Sequence, residues 1–255
     1  MRRGNFKVRI FIFIAIAAFA YLRKCSQEEI NPYTGKKQAI SLSPQEEIAI
    51  GLQSAPGMAR QHGGLHPDNR YQALVDDIGN NLVNSSIAKD TPYKYEFHLL
   101  ADSNTINAFA LPGGQIFITY ALFSKLENQD QLAGVLGHEI GHVLGKHSNE
   151  RITNANFWKV LAMGSSAIDM GAVAQQYGQG QLLKNGRGDE LESDELGVKF
   201  MIDAGYNPEE MIGVMQILKA AAGPNRVPEF QSTHPDPENR IEHIKAVIRK
   251  YKKAS

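Results

Sequence analysis

Between Asn128 and about His147 the apolar residues recur at helical spacing, with Leu132, Leu136, Ile140 and Val143 on one stripe. Asn128 suits an N-cap and Gln131 follows three residues later, so the pattern predicts a helix with a defined start. Tyr93, Tyr95, Phe97 and Leu99 alternate with Lys94, Glu96 and His98, which predicts a half-buried strand. Ile106 to Leu111 and Gln115 to Thr119 read as further strands, joined at Pro112-Gly113-Gly114, where proline removes a ladder donor and glycine permits reversal. Ser43, followed by Pro44 and two acids, predicts a helix start. A second helix is expected from about Asp68 to Ser86. An amphipathic one follows from about Pro237 to Lys252, through Ile241, Ile244, Val247 and Ile248.

The region 155–204 is patterned less clearly. Ala155 to about Ala174 is apolar and helical, but Lys159 and Asp169 interrupt it, so it reads as a core or lid helix rather than a membrane span. Gln175 to Gly188, rich in glycine and glutamine, is expected to be a mobile loop that gates a cleft. The acids Asp189, Glu190, Glu192, Asp194 and Glu195 then open a helix running to about Ala204, before Gly205.

The N-terminus differs in kind. Arg2, Arg3, Lys7 and Arg9 precede an apolar run of 13 residues, Ile10 to Leu22, and Arg23 and Lys24 follow at once. Residues 1–24 therefore read as a signal peptide or an uncleaved signal anchor, residues 25–42 as a polar linker, and residues 43–255 as one globular domain. Either reading of the leader exports the domain, to the cell envelope or periplasm, and the anchor reading is preferred. Arg23 and Lys24 stand where lipid modification of Cys25 would want small residues. With 27 basic and 27 acidic side chains, nothing in the charge points to nucleic acid. The lone cysteine excludes an intrachain disulfide.

The chemistry concentrates in the first helix. His138 and His142 are one turn apart and project from the same face, where they can share a metal ion. Glu139, about 100° round the helix, can reach a water on that ion without ligating it. Gly134, Gly137, Gly141 and Gly145 each cost about 1 kcal/mol in a helix interior. They cluster near one stripe, which predicts another backbone packed very close there. A tetrahedral catalytic site wants a third protein ligand. Spacing alone leaves Glu190, Glu192 and Glu195 as equal candidates. His62, His66, His98 and His147 read as structural or surface residues.

Three stretches carry a resemblance: Val135 to Val143 around the histidine pair, Glu192-Ser193-Asp194-Glu195-Leu196-Gly197, and Ala204-Gly205-Tyr206-Asn207-Pro208. Together they resemble the zinc metallopeptidase family of the CAAX prenyl protease, HtpX-like and Oma-like type. Asn107-Ala108-Phe109-Ala110-Leu111-Pro112-Gly113-Gly114 and Ser232-Thr233-His234-Pro235 with Glu238-Asn239-Arg240-Ile241 match the same family, over about residues 43–248. The resemblance implies an α+β, mostly helical zincin-like domain with a small β-sheet beside the His-Glu-x-x-His helix. It implies one Zn²⁺ held by His138, His142 and Glu192, with Asp194 supporting and Ser193 in place of the family's alanine. Glu139 would be the general base, and Asn107, Ala108, Phe109 and Ala110 would bind substrate along a strand edge. His234 would serve as an oxyanion donor or an auxiliary occupant of the open metal position. The expected activity is endoproteolysis of exported, unfolded or misfolded polypeptides. The multiple membrane spans of the CAAX and HtpX-like members have no counterpart here. A chaperone or assembly factor with a rarely used zinc site is the alternative, and it predicts that function survives Glu139→Gln.

Overall fold

The computed structural model describes residues 6–166, 170–221, 234 and 239–253. In chain order the elements are α1 (Phe6–Ser26), β1 (Glu28–Ile30), β2 (Lys37–Ala39), α2 (Pro44–Gln61), α3 (Asn69–Ser85), β3 (Glu96–Leu100), β4 (Ala108–Ala110), β5 (Gln115–Thr119) and α4 (Tyr120–Phe123). They continue with α5 (Gln129–Leu144), α6 (His147–Ser165), α7 (Gly171–Asp203), α8 (Glu210–Ala221) and α9 (Arg240–Lys252). This is the mostly helical α+β class expected. The chain divides into two compact units, residues 1–42 with 146–186 and residues 43–145 with 187–255.

The larger unit holds the sheet, ordered β3-β5-β4. Strand β3 runs parallel to β5 with Phe97 opposite Ile116, and β4 is antiparallel to β5 with Phe109 opposite Phe117. Gly113 and Gly114 take φ of +83° and +111° in the β4–β5 turn, which a side chain would strain. The β3 edge is covered by α3, where Gln72 donates to the Phe97 carbonyl at 2.8 Å and accepts from Leu99 N at 2.9 Å. That leaves β4 as the other edge. Helix α2 begins as its sequence demands: Ser43 accepts from Glu46 N, and the Glu46 carboxylate accepts from Ser43 N at 2.8 Å. Helix α5 lies in the middle, capped by Asn128, whose side chain accepts from Gln131 N at 2.9 Å. Nearly all of α5 is buried, with Leu136 and Ile140 at 0% exposure, because α3, α8 and the sheet all pack on it.

In the smaller unit α1 packs antiparallel on α6: Ile16 meets Gly164, and further along Lys24 lies over the Phe157 ring at 4.9 Å. The stretch expected as a polar linker instead folds into the β1–β2 hairpin. It is tied down by Asn149 of α6, whose side chain accepts from Ser41 N and donates to the Leu42 carbonyl. A second correction concerns 175–188, which is helical within α7 rather than a loop. Packing overrides the weak propensity of its glycines: Trp158 sits against Gly178 and in ring contact with Tyr177. Likewise the helix expected over 155–174 is α6, which starts at His147 and ends at Ser165, with Asp169 outside the described residues. Helix α9 starts at Arg240, and the Pro237 start expected for it also lies outside them. Among the described residues no helix is long and apolar enough to cross a membrane.

Candidate active site

The site is built on a seam between α5 and the last turns of α7. A Cβ on Gly137 would stand 3.4 Å from Gly197 Cα, and one on Gly141 would stand 3.0 Å from Ser193 Cα. Here the two backbones touch, as the glycine stripe predicts, and a serine at 193 is small enough to keep the approach. Seen down α7, Ser193 and Gly197 form the seam, and Glu190 and Asp194 lie beside it, one turn apart on a common face. Glu192 is about 160° round the helix from Glu190.

That rotation decides which acid meets the histidines. Glu190 Oε2 lies 3.3 Å from His138 Nε2, and Glu190 Oε1 lies 3.4 Å from His142 Nε2. The two Nε2 atoms are 3.0 Å apart. The resemblance put the third ligand on Glu192; the structure brings Glu190 there, and Glu192 takes no part in this cluster. His138, His142, Glu190 and His234 form a group that could hold a metal ion.

The residues fit such an ion. Two imidazole nitrogens at 3.0 Å cannot both present lone pairs to each other without a cation or proton between them. A tetrahedral ion with arms of about 2.0–2.2 Å sets its ligand atoms about 3.3–3.6 Å apart, close to the three separations observed. His138 is also oriented from behind, since its Nδ1 lies 2.9 Å from Asp194 Oδ1. This carboxylate–histidine pairing fixes the tautomer that leaves Nε2 free to ligate. Arg240, at the start of α9, holds Asp194 in turn through Nε at 2.6 Å and Nη2 at 2.8 Å, and its Nη1 is 3.3 Å from Glu190.

The charges explain the titration behaviour. Burial opposes charge on Glu190, but His234, His142 and His138 hold it ionised, well below the usual carboxylate range. Burial likewise opposes charge on Asp194, and Arg240 and His138 overcome it. His138 is desolvated, yet Asp194 and Glu190 push its pKa up to about 9, so a metal ion must displace a firmly held proton. Glu139 moves the other way. It is fully buried and its pKa is raised by desolvation, against the pull of His234 and His138. Neither of its carboxylate oxygens has a hydrogen-bond partner among the described residues. A buried carboxylate beside a metal site is placed to accept a proton.

His234 joins the cluster from the C-terminal side. Its Nδ1 lies 3.2 Å from Glu190 Oε1, its Nε2 donates to the Ala108 carbonyl at 3.1 Å, and Glu139 Oε1 is 3.6 Å from that Nε2. Its flanking Ser232, Thr233 and Pro235 lie outside the described residues. Asn107, Ala108, Phe109 and Ala110 fall on or just before β4. Asn107 O and Leu111 N bond to β5, so by alternation the Ala108 and Ala110 carbonyls face the open edge. Glu190, one of the three acids that spacing alone leaves open, is singled out by pairing it with Asp194 at i,i+4. Arg240 stands in the quoted C-terminal stretch, but nothing local marks it as buried.

Comparison with known proteins gives the family. The family model described as peptidase family M48 matches residues 69–248. The chain is 28% identical over 228 residues to a beta-barrel assembly-enhancing protease of Yersinia pestis, covering 84% of this chain and 46% of that protein. It is 31% identical over 243 residues to the mitochondrial metalloendopeptidase OMA1 of Schizosaccharomyces pombe, covering 92% of this chain and 70% of the relative. The chain thus spans about half the length of the bacterial relatives it matches. A family match over most of the chain, with the histidine pair, Glu139 and Glu190 converging, places the protein in peptidase family M48.

Proposed function

We propose that the chain is a zinc-dependent endopeptidase acting on extended segments of unfolded or misfolded proteins. The observation that carries this is the convergence of His138, His142 and Glu190 beside the buried carboxylate of Glu139, whose oxygens have no hydrogen-bond partner among the described residues. His138, His142 and Glu190 hold the ion, and Asp194, clamped by Arg240, orients His138. When bound, zinc supplies a Lewis acid that polarises a carbonyl and makes water acidic near neutral pH. Glu139 takes a proton from the attacking water as the C–O bond forms and the carbonyl π pair moves onto oxygen, then delivers that proton to the amine nitrogen as the adduct collapses and the C–N bond breaks. Desolvation makes Glu139 a stronger base than an exposed glutamate.

Substrate enters by pairing with β4, whose outward carbonyls at Ala108 and Ala110 await donors. His234 holds one of them, so an entering peptide must take the Ala108 carbonyl from it. The Nε2–H so freed, 3.6 Å from Glu139 Oε1, serves the developing oxyanion. Main-chain pairing selects for extended backbone over particular side chains, which suits clients that have lost their fold. We further propose that the N-terminal helix exports the domain and holds it at the membrane of the cell envelope. The cations flanking its apolar run, Lys7 and Arg9 before it and Arg23 and Lys24 after it, support that reading.

Glu139→Gln tests this reading. It should lower casein cleavage by about 10²–10⁴-fold while metal content stays at one per chain. Full cleavage by the variant would remove Glu139 from the reaction.

A further inference from the structure

The smaller unit is apolar on the outside. Of the 15 large hydrophobic residues exposed among the described residues, 13 belong to it. A soluble surface seldom concentrates them so. On α1, Ile16 and Ala20 turn toward α6, while Phe11, Ile14, Phe19 and Leu22 face outward at 57% exposure or more. The same is true of the α6–α7 pair: Met163 is 69% exposed, Val173 59% and Tyr177 60%, with Met170 at 50%. The antiparallel packing brings the end of α6, at Gly164, level with Ile16, the middle of the apolar run of α1. Both helices thus expose apolar side chains at the same level.

Charge says what covers this surface. Further along the same helices, Arg23 and Lys24 of α1 and Lys159 of α6 line one recess of about 340 Å³, with no carboxylate in its lining. Lys7 and Arg9 sit at the other end of α1, which carries no acid at all. Apolar side chains bordered by these cations complement an anionic phospholipid, with acyl chains against the apolar part and headgroup phosphate against the cations; the nearby acid Glu28 is engaged by Lys37 at 2.6 Å. The apolar run of α1, at 13 residues, is about 20 Å long, short of a hydrocarbon core of about 30 Å.

We infer that the α6–α7 pair is itself a lipid-binding element, which embeds Met163, Met170, Val173 and Tyr177 beside α1 in an anionic membrane leaflet and seats a lipid phosphate at Arg23, Lys24 and Lys159. This builds on the membrane role proposed above for the N-terminal helix and extends it to a part of the chain remote in sequence. Tyr177 fits an interfacial depth, where a ring can be half in lipid with its hydroxyl wet.

Trp158 is the only tryptophan and lies on α6 within this unit, against Gly178 and Tyr177 of α7, so it reports on the pair alone. Full-length protein should float with vesicles containing phosphatidylglycerol more strongly than with phosphatidylcholine. Brominated acyl chains should quench Trp158 at least about twofold. Met163→Asp with Val173→Asp should abolish that quenching and weaken vesicle partitioning about tenfold or more, with metal content and casein cleavage in solution unchanged. Lys159→Glu with Arg23→Ala should remove the preference for anionic vesicles. Vesicle binding with Trp158 unquenched would overturn the inference and leave α1 as sole anchor. No vesicle binding would remove the membrane role of α1 as well. A lipid-free dimer that shields Trp158 from aqueous iodide would assign the surface to a second copy of the chain and overturn the inference equally.

Discussion

The assignment of Glu190 over Glu192 has the sharpest consequence. Replacing Glu190 with alanine removes the carboxylate whose two oxygens lie 3.3 and 3.4 Å from the paired Nε2 atoms. Losing a partner that merely orients a ligating histidine costs about 10–100-fold in metal affinity. Losing a ligand must cost more, so Glu190→Ala should weaken zinc binding by at least about 1000-fold, or about 4 kcal/mol. Asp194→Asn, which weakens the hold on His138 Nδ1 and the pairing with Arg240 but removes no ligand, should fall in the 10–100-fold range. Glu192→Ala changes a group on the far side of α7 and should stay within about threefold of wild type, under about 0.7 kcal/mol. Competition against a chromophoric chelator measures all three, and helical circular dichroism verifies that each variant is folded. Casein cleavage should follow zinc occupancy. A Glu192→Ala protein without metal, beside a Glu190→Ala protein that keeps it, would refute the helical-face reasoning.

Two further outcomes follow from packing and charge. Gly141→Val would drive side-chain atoms into the backbone at Ser193, where a Cβ alone stands at 3.0 Å, and should cost about 1–3 kcal/mol and weaken zinc binding; Gly180→Ala in α7 meets nothing within 4 Å and should gain about 0.5–1 kcal/mol, so thermal melts that rank them otherwise would contradict the seam. Asp102 accepts from Asn104 N and Thr105 N and pairs with His62 at 3.1 Å, contacts that outweigh its burial and hold its pKa below the usual value; a depressed carboxylate stabilises the fold above its unfolded pKa and loses that contribution as pH falls below about 4, so Asp102→Asn should destabilise at neutral pH and show a shallower acid decline in urea midpoints, and parallel curves would refute it.

Much of this was legible because it is local. Ser43, Pro44 and Glu46 announce α2 through bonds spanning three residues, and Asn128 does the same for α5. The glycines of α5 forecast a close backbone because their propensity cost needs a compensating contact, and the structure supplies one at Gly197 and Ser193. Other features depended on tertiary context. Nothing in Gln175 to Gly188 signals a helix, since Trp158, some twenty residues earlier, provides the packing. The carboxylate beside His138 and His142 is Glu190, two residues before the expected Glu192, a small step in sequence but more than half a turn of helix. Arg240 reads as an ordinary basic residue until α9 folds against α7 and buries it.

The metal site is assembled from positions far apart in synthesis. His142, the second of the paired histidines, leaves the ribosome 48 residues before Glu190, and Arg240 trails Glu190 by another 50. At about 5–20 residues per second, each interval lasts about 2–10 s. Throughout the first, the nascent polypeptide displays its imidazoles and Glu139 without the carboxylate that completes the candidate metal cluster. Under the proposed function, a cutting edge finished last has little opportunity to attack its own unfinished chain or its neighbours.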